Sequence, residues 1–262
     1  MEESTKSGLQ RVVNHWDPYN TRIRQEYYLN KNGNREGLYK SYHENGQLDC
    51  ECYLQNGMLN GRYKAYNSSG DLTEDAEYND NYRTGKCMRW YYDKNNKLDL
   101  TVESEFVKGN IEGREVRRYP NGDIHSITEY KNNSVVKVVE LTDEKGRNCI
   151  LPAGKLVVWK ACKNGLRPVY VKIEVPEDAG RVTPRNTDRT FKSRISHGKV
   201  IDIIDKDGKQ YDDARSFVHI GPSMMYERNK VAVPSRLDLS LDNECSAGIN
   251  CQLYQDQCDY WF

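Results

Sequence analysis

The sequence predicts a mainly β protein, in which an N-terminal antiparallel β-hairpin repeat forms a meander sheet and a C-terminal α+β domain follows. Three observations carry this. Gly37, Gly61, Gly85 and Gly113 open similar segments 24, 24 and 28 residues apart, and a period of that size marks a tandem array of one supersecondary unit. Gly46, Gly70 and Gly122 each fall 9 residues after an opening glycine, inside Glu44-Asn45-Gly46, Ser68-Ser69-Gly70 and Pro120-Asn121-Gly122, where hairpin turns are expected. The glycine-tyrosine beat then stops after Arg147, and Leu151-Pro152-Ala153-Gly154 reads as a boundary turn. The organisation predicted is an arm over 1–25, hairpin repeats over 26–150 and the C-terminal domain over 151–262.

Composition agrees with a thin, wet sheet. The chain has 262 residues, 37% hydrophobic and 30% charged, enough for two modules with one sheet face solvated. Low hydropathy alone also suits disorder, but 19 Tyr and 19 Gly recurring in register do not. Thirty-nine basic residues balance 39 acidic ones, so no global charge steers the protein to nucleic acid, and no specific nucleic-acid partner is expected. Residues 1–8 lack the apolar stretch of a secretory signal, and no run reaches the ~18 apolar residues of a membrane span. Eight cysteines without such a signal read as reduced thiols, in a protein that is not secreted. Asn67-Ser68-Ser69 and Asn132-Asn133-Ser134 fit the glycosylation pattern but would not be modified in that setting.

Within the array, Gly37-Leu38-Tyr39-Lys40-Ser41-Tyr42 aligns with Gly61-Arg62-Tyr63-Lys64-Ala65-Tyr66, and more loosely with the segments from Gly85 to Trp90 and from Gly113 to Arg118. The third unit replaces the Asn-Gly turn with Lys94-Asn95-Asn96, for which a longer loop is expected. Second strands begin at Leu48, Leu72, Leu98 and Ile124 and end at Tyr53, Tyr78, Phe106 and Tyr130, and turns containing Asn56-Gly57 or Lys108-Gly109 lead to the next unit. Each period thus supplies two antiparallel strands. Tyr42, Tyr66 and Trp90 stand three positions after Tyr39, Tyr63 and Cys87, an odd offset that sends the two sets to opposite faces. The plain reading of these aromatics is that they brace neighbouring hairpins; a ligand-binding stripe is the alternative. Arg62, Lys64, Arg89, Arg114 and Arg117 face acidic residues across the hairpins, which describes a solvated charged surface rather than a phosphate site. Cys50 and Cys52 share one strand face, at a spacing that is neither a redox CxxC nor a usual zinc knuckle.

The G-x-Y-x-x-Y pattern followed by an N-G turn resembles the MORN repeat in its longer bacterial and viral variant. The resemblance spans 26–139, with two units matching well and the third and fourth departing at Cys87, Glu115 and Arg118. It implies an elongated antiparallel sheet that mediates protein contacts and sometimes membrane association.

In the C-terminal half, the segments from Leu156 to Cys162 and from Val169 to Val175 read as a strand pair joined through Asn164-Gly165, and Val200 to Ile204 as a third strand entering a hairpin at Asp205-Lys206-Asp207-Gly208. Cys245-Ser246-Ala247-Gly248-Ile249-Asn250 resembles the C-x-x-G-I-H motif of an uncharacterised domain that follows repeats in proteins of large amoeba-infecting DNA viruses. Trp159-Lys160-Ala161, the run from Val171 to Pro176, and Phe191-Lys192-Ser193-Arg194 are similar to its other landmarks. Asn250 stands where that family has histidine, so any chemical role of the histidine is lost here. The resemblance implies a giant-virus origin and no established activity.

No catalytic, cofactor or metal site is expected. The five histidines, His15, His43, His125, His197 and His219, are not spaced to meet on one face, and there is no P-loop, dinucleotide fingerprint or G-x-S-x-G. Cys245, Cys251 and Cys258 would need a further ligand to hold a metal, against the plain reading of buried thiols. Asp202 with Asp205, and Asp212 with Asp213, read as surface turns. The closing Tyr260-Trp261-Phe262 is expected either to dock on the protein itself, carried by a short helix over 252–260, or to anchor a partner; Trp16 is a second candidate partner contact. The function expected is that of a non-enzymatic structural protein of a virion, contacting other viral structural proteins, or else an adaptor in the infected-cell cytoplasm binding host proteins or membrane lipid head groups.

Overall fold

The structure, a computed structural model, describes residues 8–19, 21–185, 190–217, 223–243 and 245–262; His219, Glu244 and residues 1–7 of the predicted arm lie outside them. The chain divides into two compact units, Met1–Ser134 and Val135–Phe262.

Strands run β1 (Gln10–His15), β2 (Ile23–Leu29), β3 (Gly37–Tyr42), β4 (Leu48–Gln55), β5 (Met58–Tyr66), β6 (Leu72–Asn79), β7 (Tyr82–Tyr92), β8 (Leu98–Val107), β9 (Asn110–Arg118), β10 (Ile124–Lys131) and β11 (Ser134–Leu141). They are hydrogen-bonded in chain order as one eleven-stranded antiparallel meander. Successive strands are neighbours because each connection from β2 onward is a short hairpin tip of one of two kinds, while β1 and β2 are joined by a longer connection that the Trp16 N–H closes on the Arg22 carbonyl. At 30–34, 43–47, 67–71, 93–97 and 119–123 the first N–H donates to the fifth carbonyl, and the fourth N–H donates back to the first carbonyl. Only the fourth residue is left-handed, for instance Gly46 at φ 88° and Asn96 at φ 60°, so these are type I turns closed by a G1 bulge. At the other end, Asn56-Gly57, Asp80-Asn81, Lys108-Gly109 and Asn132-Asn133 have positive φ at both residues, the two-residue type I′ hairpin.

Pairing register lines up one inner row. Val12 faces Tyr27, Tyr39 faces Cys52, and Cys52, Tyr63, Ala76, Cys87 and Ser104 follow on successive strands. Cys52, Ala76, Cys87 and Ser104 are buried, with Phe106, Tyr78 and Ile111 packed around Ala76 and Cys87. The core of this unit is therefore thin at the first strands and widens over β8 to β10, where Leu100, Val102, Phe106, His125, Thr128 and Tyr130 are also buried.

The second unit holds β12 (Leu156–Asn164), β13 (Arg167–Val175), β14 (Arg181–Val182), β15 (Ser193–Ile195), β16 (Gly198–Ile204), β17 (Asp213–Ser216), β18 (Met225–Glu227), β19 (Val231–Ala232), β20 (Ile249–Cys251) and a 3-10 helix, Gln255–Trp261. Six strands pair in the order β18-β17-β12-β13-β16-β19 and three in the order β14-β15-β20. Val158, Val169, Val171, Ile173, Val175, Ile195, Val200, Ile203, Ile249 and Cys251 form its main core. Near-continuous apolar strands of this sort are buried on both faces. Gly198 fits only because it lacks a side chain: a Cβ there would lie 2.5 Å from Ile173 Cγ2 and 2.9 Å from the Glu174 carbonyl.

Several expectations change. Part of the predicted N-terminal arm is β1, pairing with β2 and bringing Val12 onto Tyr27; the adjacent strand formers Val12 and Val13 and backbone pairing with β2 make an edge strand without the glycine beat. The third unit's turn keeps the same five-residue geometry, and its extra residues lengthen β7 and β8 to 11 and 10 residues. Compactness divides the chain at 134/135 rather than near 150, since Leu141 of β11 packs with Cys149 and Phe191. The helical content of the C-terminal half, among the described residues, is the one 3-10 segment.

Candidate functional site

The repeat sheet places its chemistry by register. Cys50 and Cys52 share one face of β4, with Cys50 Sγ 3.2 Å from Ser41 Oγ and Cys52 in the buried row between Tyr39 and Tyr63. A hydrogen bond from the Cys52 thiol, helped by Ser41, outweighs burial and lowers the Cys50 thiol to about 7. The same bond together with burial drives Cys52 far upward, so the pair holds its negative charge on Cys50. Farther along the row, Glu115 takes the position that Tyr39 and Tyr63 occupy in the first two units. Its carboxylate is 2% exposed, and it lies 2.9 Å from Arg117 and 3.4 Å from Arg89 and accepts from Ser104 Oγ at 3.1 Å. Buried charge persists only when paired and hydrogen-bonded in this way.

A shallow groove of about 480 Å³ opens near the G1 tips, lined by Asn67, Thr73, Glu74, Arg89, Trp90, Tyr91, Tyr92 and Asn96. Its rim is stitched across tips: Asn67 Nδ2 donates to Asn96 Oδ1 at 2.8 Å, and Asn96 Nδ2 donates to Asp71 at 2.7 Å. Tyr53, Tyr82 and Tyr91 stand exposed on the strands.

In the second unit the segments resembling domain landmarks converge. Lys160 of β12 donates to the Asn250 carbonyl at 3.0 Å. Arg194 of β15, fully buried, donates to the carbonyls of Asp238 at 3.1 Å, Ser240 at 2.5 Å, and Asn243, which pins the loop ahead of Cys245. Asp238 accepts from Ser246, the Ser240 N–H and Asn243, and these hold its carboxyl at about 2. Lys192, 6% exposed, lies with Nζ 2.8 Å from Cys245 Sγ and 3.9 Å from the centre of the Trp261 ring.

Residues 35–56 and 111–132 match the MORN repeat variant. The N-terminal half carries MORN-type repeats. Residues 147–258 match a family of unknown function (DUF5758), and no curated protein matches the chain. Among solved structures, the Photorhabdus luminescens Tc holotoxin pore with a TccC3 mutation is similar over 85% of this chain and 15% of its own, at 12% identity and a TM-score of 0.22. The crystal structure of TcdB2-TccC3-TEV gives the same figures. This chain therefore spans about 15% of either one's length.

The MORN-type glycines Gly37, Gly61, Gly85 and Gly113 all have positive φ; Gly61, at φ 112° beside a strand irregularity at Cys52/Leu54, shows why an L side chain is unwelcome. Tyr42 and Tyr66 pair with Leu48 and Leu72 just before their tips. The equivalent place in the third MORN-type unit belongs to Tyr92, which pairs with Leu98, while Trp90 sits opposite Thr101. Counting from the glycine put Trp90 there; the longer β7 moved it. Trp16 Nε1 donates to the Tyr42 carbonyl at 3.0 Å, and its ring lies 4.9 Å from the Arg24 guanidinium, so much of Trp16 is engaged within the sheet. Phe262 packs edge-on to Tyr170 at 5.1 Å and Phe217 at 6.0 Å yet keeps part of its surface exposed, Trp261 covers Lys192, and Tyr260 is the most exposed member of the tail at 65%. Among the described residues no three His, Cys, Asp or Glu side chains converge as metal ligands. Cys251 and Cys258 are buried, whereas Cys245 is exposed, contrary to the buried-thiol reading. Sequence reasoning missed the pairing of Lys192 with Cys245, because the 53 positions between them leave no local signal.

Proposed function

We propose that this chain is a non-enzymatic structural protein, a minor virion or capsid-associated component of a large DNA virus, whose MORN-type sheet is a platform for other viral structural proteins. The observation that carries the reading is the sheet itself: a single-layer meander with Tyr53, Tyr82 and Tyr91 exposed on its strands. Exposed aromatics on a rigid strand scaffold offer large contact area at little ordering cost. Flanking ion pairs such as Arg62 with Asp75 at 2.7 Å and Lys86 with Glu103 at 3.3 Å supply a polar rim of the kind protein interfaces carry. The viral part of the reading is supported by the landmark motifs of the C-terminal half, and it places the protein in particles and, before assembly, in the infected-cell cytoplasm.

Quantitative mass spectrometry of purified particles against infected-cell cytoplasm tests it. Enrichment in particles is expected, and abundance confined to the cytoplasm overturns the virion assignment. Co-sedimentation with anionic vesicles that weakens as salt rises would move the reading to an adaptor of lipid head groups.

A further inference from the structure

Lys192 and Cys245 come together from two segments of the second unit, and the setting of each matters. Lys192 follows Phe191, whose backbone is left-handed at φ 50°, a conformation rare for an aromatic residue and worth a functional question. The Lys192 side chain is buried, and its Nζ ends 2.8 Å from a sulfur. Cys245 is exposed, open to a small oxidant, on a loop that Arg194 holds through three carbonyls. The other thiols of this unit, Cys149, Cys162, Cys251 and Cys258, are buried.

We propose that Lys192 and Cys245 form a peroxide-responsive covalent switch, in which oxidation of Cys245 joins its Sγ directly to Lys192 Nζ as a reversible sulfenamide. In the first step the sulfur attacks one oxygen of hydrogen peroxide. The S–O bond forms as the O–O bond breaks, and the departing hydroxide leaves as water with the proton shared between Sγ and Nζ. Sulfur is oxidised by two electrons and the peroxide is reduced, giving a sulfenic acid beside a neutral amine. In the second step the amine lone pair attacks that sulfur. The N–S bond forms, the S–OH bond breaks, and the hydroxide takes a proton from nitrogen to leave as a second water. Two molecules of an external thiol reverse the link, one sulfur attacking the N–S bond and the second closing the disulfide that carries the electrons away. The link removes the Lys192 ammonium from the face of Trp261, so the tail that covers it is the element that senses the change.

The test is peptide mapping of the whole folded protein after hydrogen peroxide, with and without later dithiothreitol. The expected product is a pair of peptides joined through Lys192 and Cys245, at a mass about 2 Da below their sum, that separates on reduction. Lys192→Arg should abolish the joined pair and leave Cys245 as sulfenic acid trappable by dimedone, with the circular dichroism spectrum recorded to confirm folding. An addition of about 16 Da at Cys245 without any joined pair in the unsubstituted protein, or no reaction at Cys245 while Cys50 oxidises, overturns the proposal. The result does not depend on whether the protein enters particles.

Discussion

Glu115 occupies a place built for tyrosine, and the cost of burying its charge is offset by Arg89, Arg117 and Ser104 together. Replacing it with alanine leaves two guanidinium groups without their carboxylate, and the loss of one partner of a buried pair costs about 3 kcal/mol. A urea midpoint in Glu115→Ala should fall accordingly; an unchanged midpoint would contradict the triad. Cys50 gives a second prediction at this scale. Its thiol is lowered to about 7 by the hydrogen bond from Cys52, so the reactive thiolate gains population as pH rises through 7 and is lost below it. Alkylation mapped by mass spectrometry should rise through that window at Cys50. In Cys52→Ala the rise should move toward the ordinary value of 9.0, and failure to move would remove Cys52 as the cause. The shared face of Cys50 and Cys52 was legible in the sequence, because strand alternation is local. The partners of Glu115 were not, since Arg89 lies 26 residues away and only register brings them together.

The two kinds of hairpin tip divide the sheet's ends, and they set its tolerance to substitution. At Gly46 the left-handed residue closes a G1 bulge, with nothing within 4 Å of the place a methyl would take, so Gly46→Ala costs only backbone strain, about 1 kcal/mol. Gly198→Ala differs because the methyl meets Ile173 and a carbonyl inside the core, and overpacking of this kind costs about 1–3 kcal/mol. Thermal melts of the two variants should rank Gly198→Ala below Gly46→Ala, and the reverse order would refute the packing at β13 and β16. The segment from Asp238 to Asn243 carries a pH signature. Asp238 is depressed from 3.8 to about 2 by hydrogen bonds from Ser246, Ser240 and Asn243, so its contribution is full above 3.8 and is lost as pH falls toward 2. Amide protection in that segment, taken relative to the intrinsic exchange rate at each pH, should fall across this acid window, and constant protection would contradict the hydrogen-bond set. Asn-Gly pairs announced the tips correctly in the sequence, but not their type: Asn45-Gly46 and Asn56-Gly57 look alike, and the pairing of the flanking strands decides which turn each adopts.

Across the whole chain, the meander was readable from glycine spacing because each hairpin joins sequence neighbours. The second unit was readable only as far as the strand pair β12 and β13 and the strand β16. The short strands β14, β15 and β20 pair across long sequence gaps, with Ser193 opposite Cys251, and such pairing leaves no periodic trace. Part of the arm became β1 for a related reason, since Gln10–His15 has no apolar alternation and only its pairing with β2 makes it a strand. A single-layer sheet with aromatics exposed on its strands predicts that contacts fall on the MORN-type sheet and not on the second unit. Hydroxyl-radical footprinting, comparing the free protein with the protein in its assembled state, reads this directly. Protection of Tyr53, Tyr82 and Tyr91 on assembly is the predicted result, and protection confined to Val135–Phe262, with those tyrosines equally oxidised in both states, would contradict it.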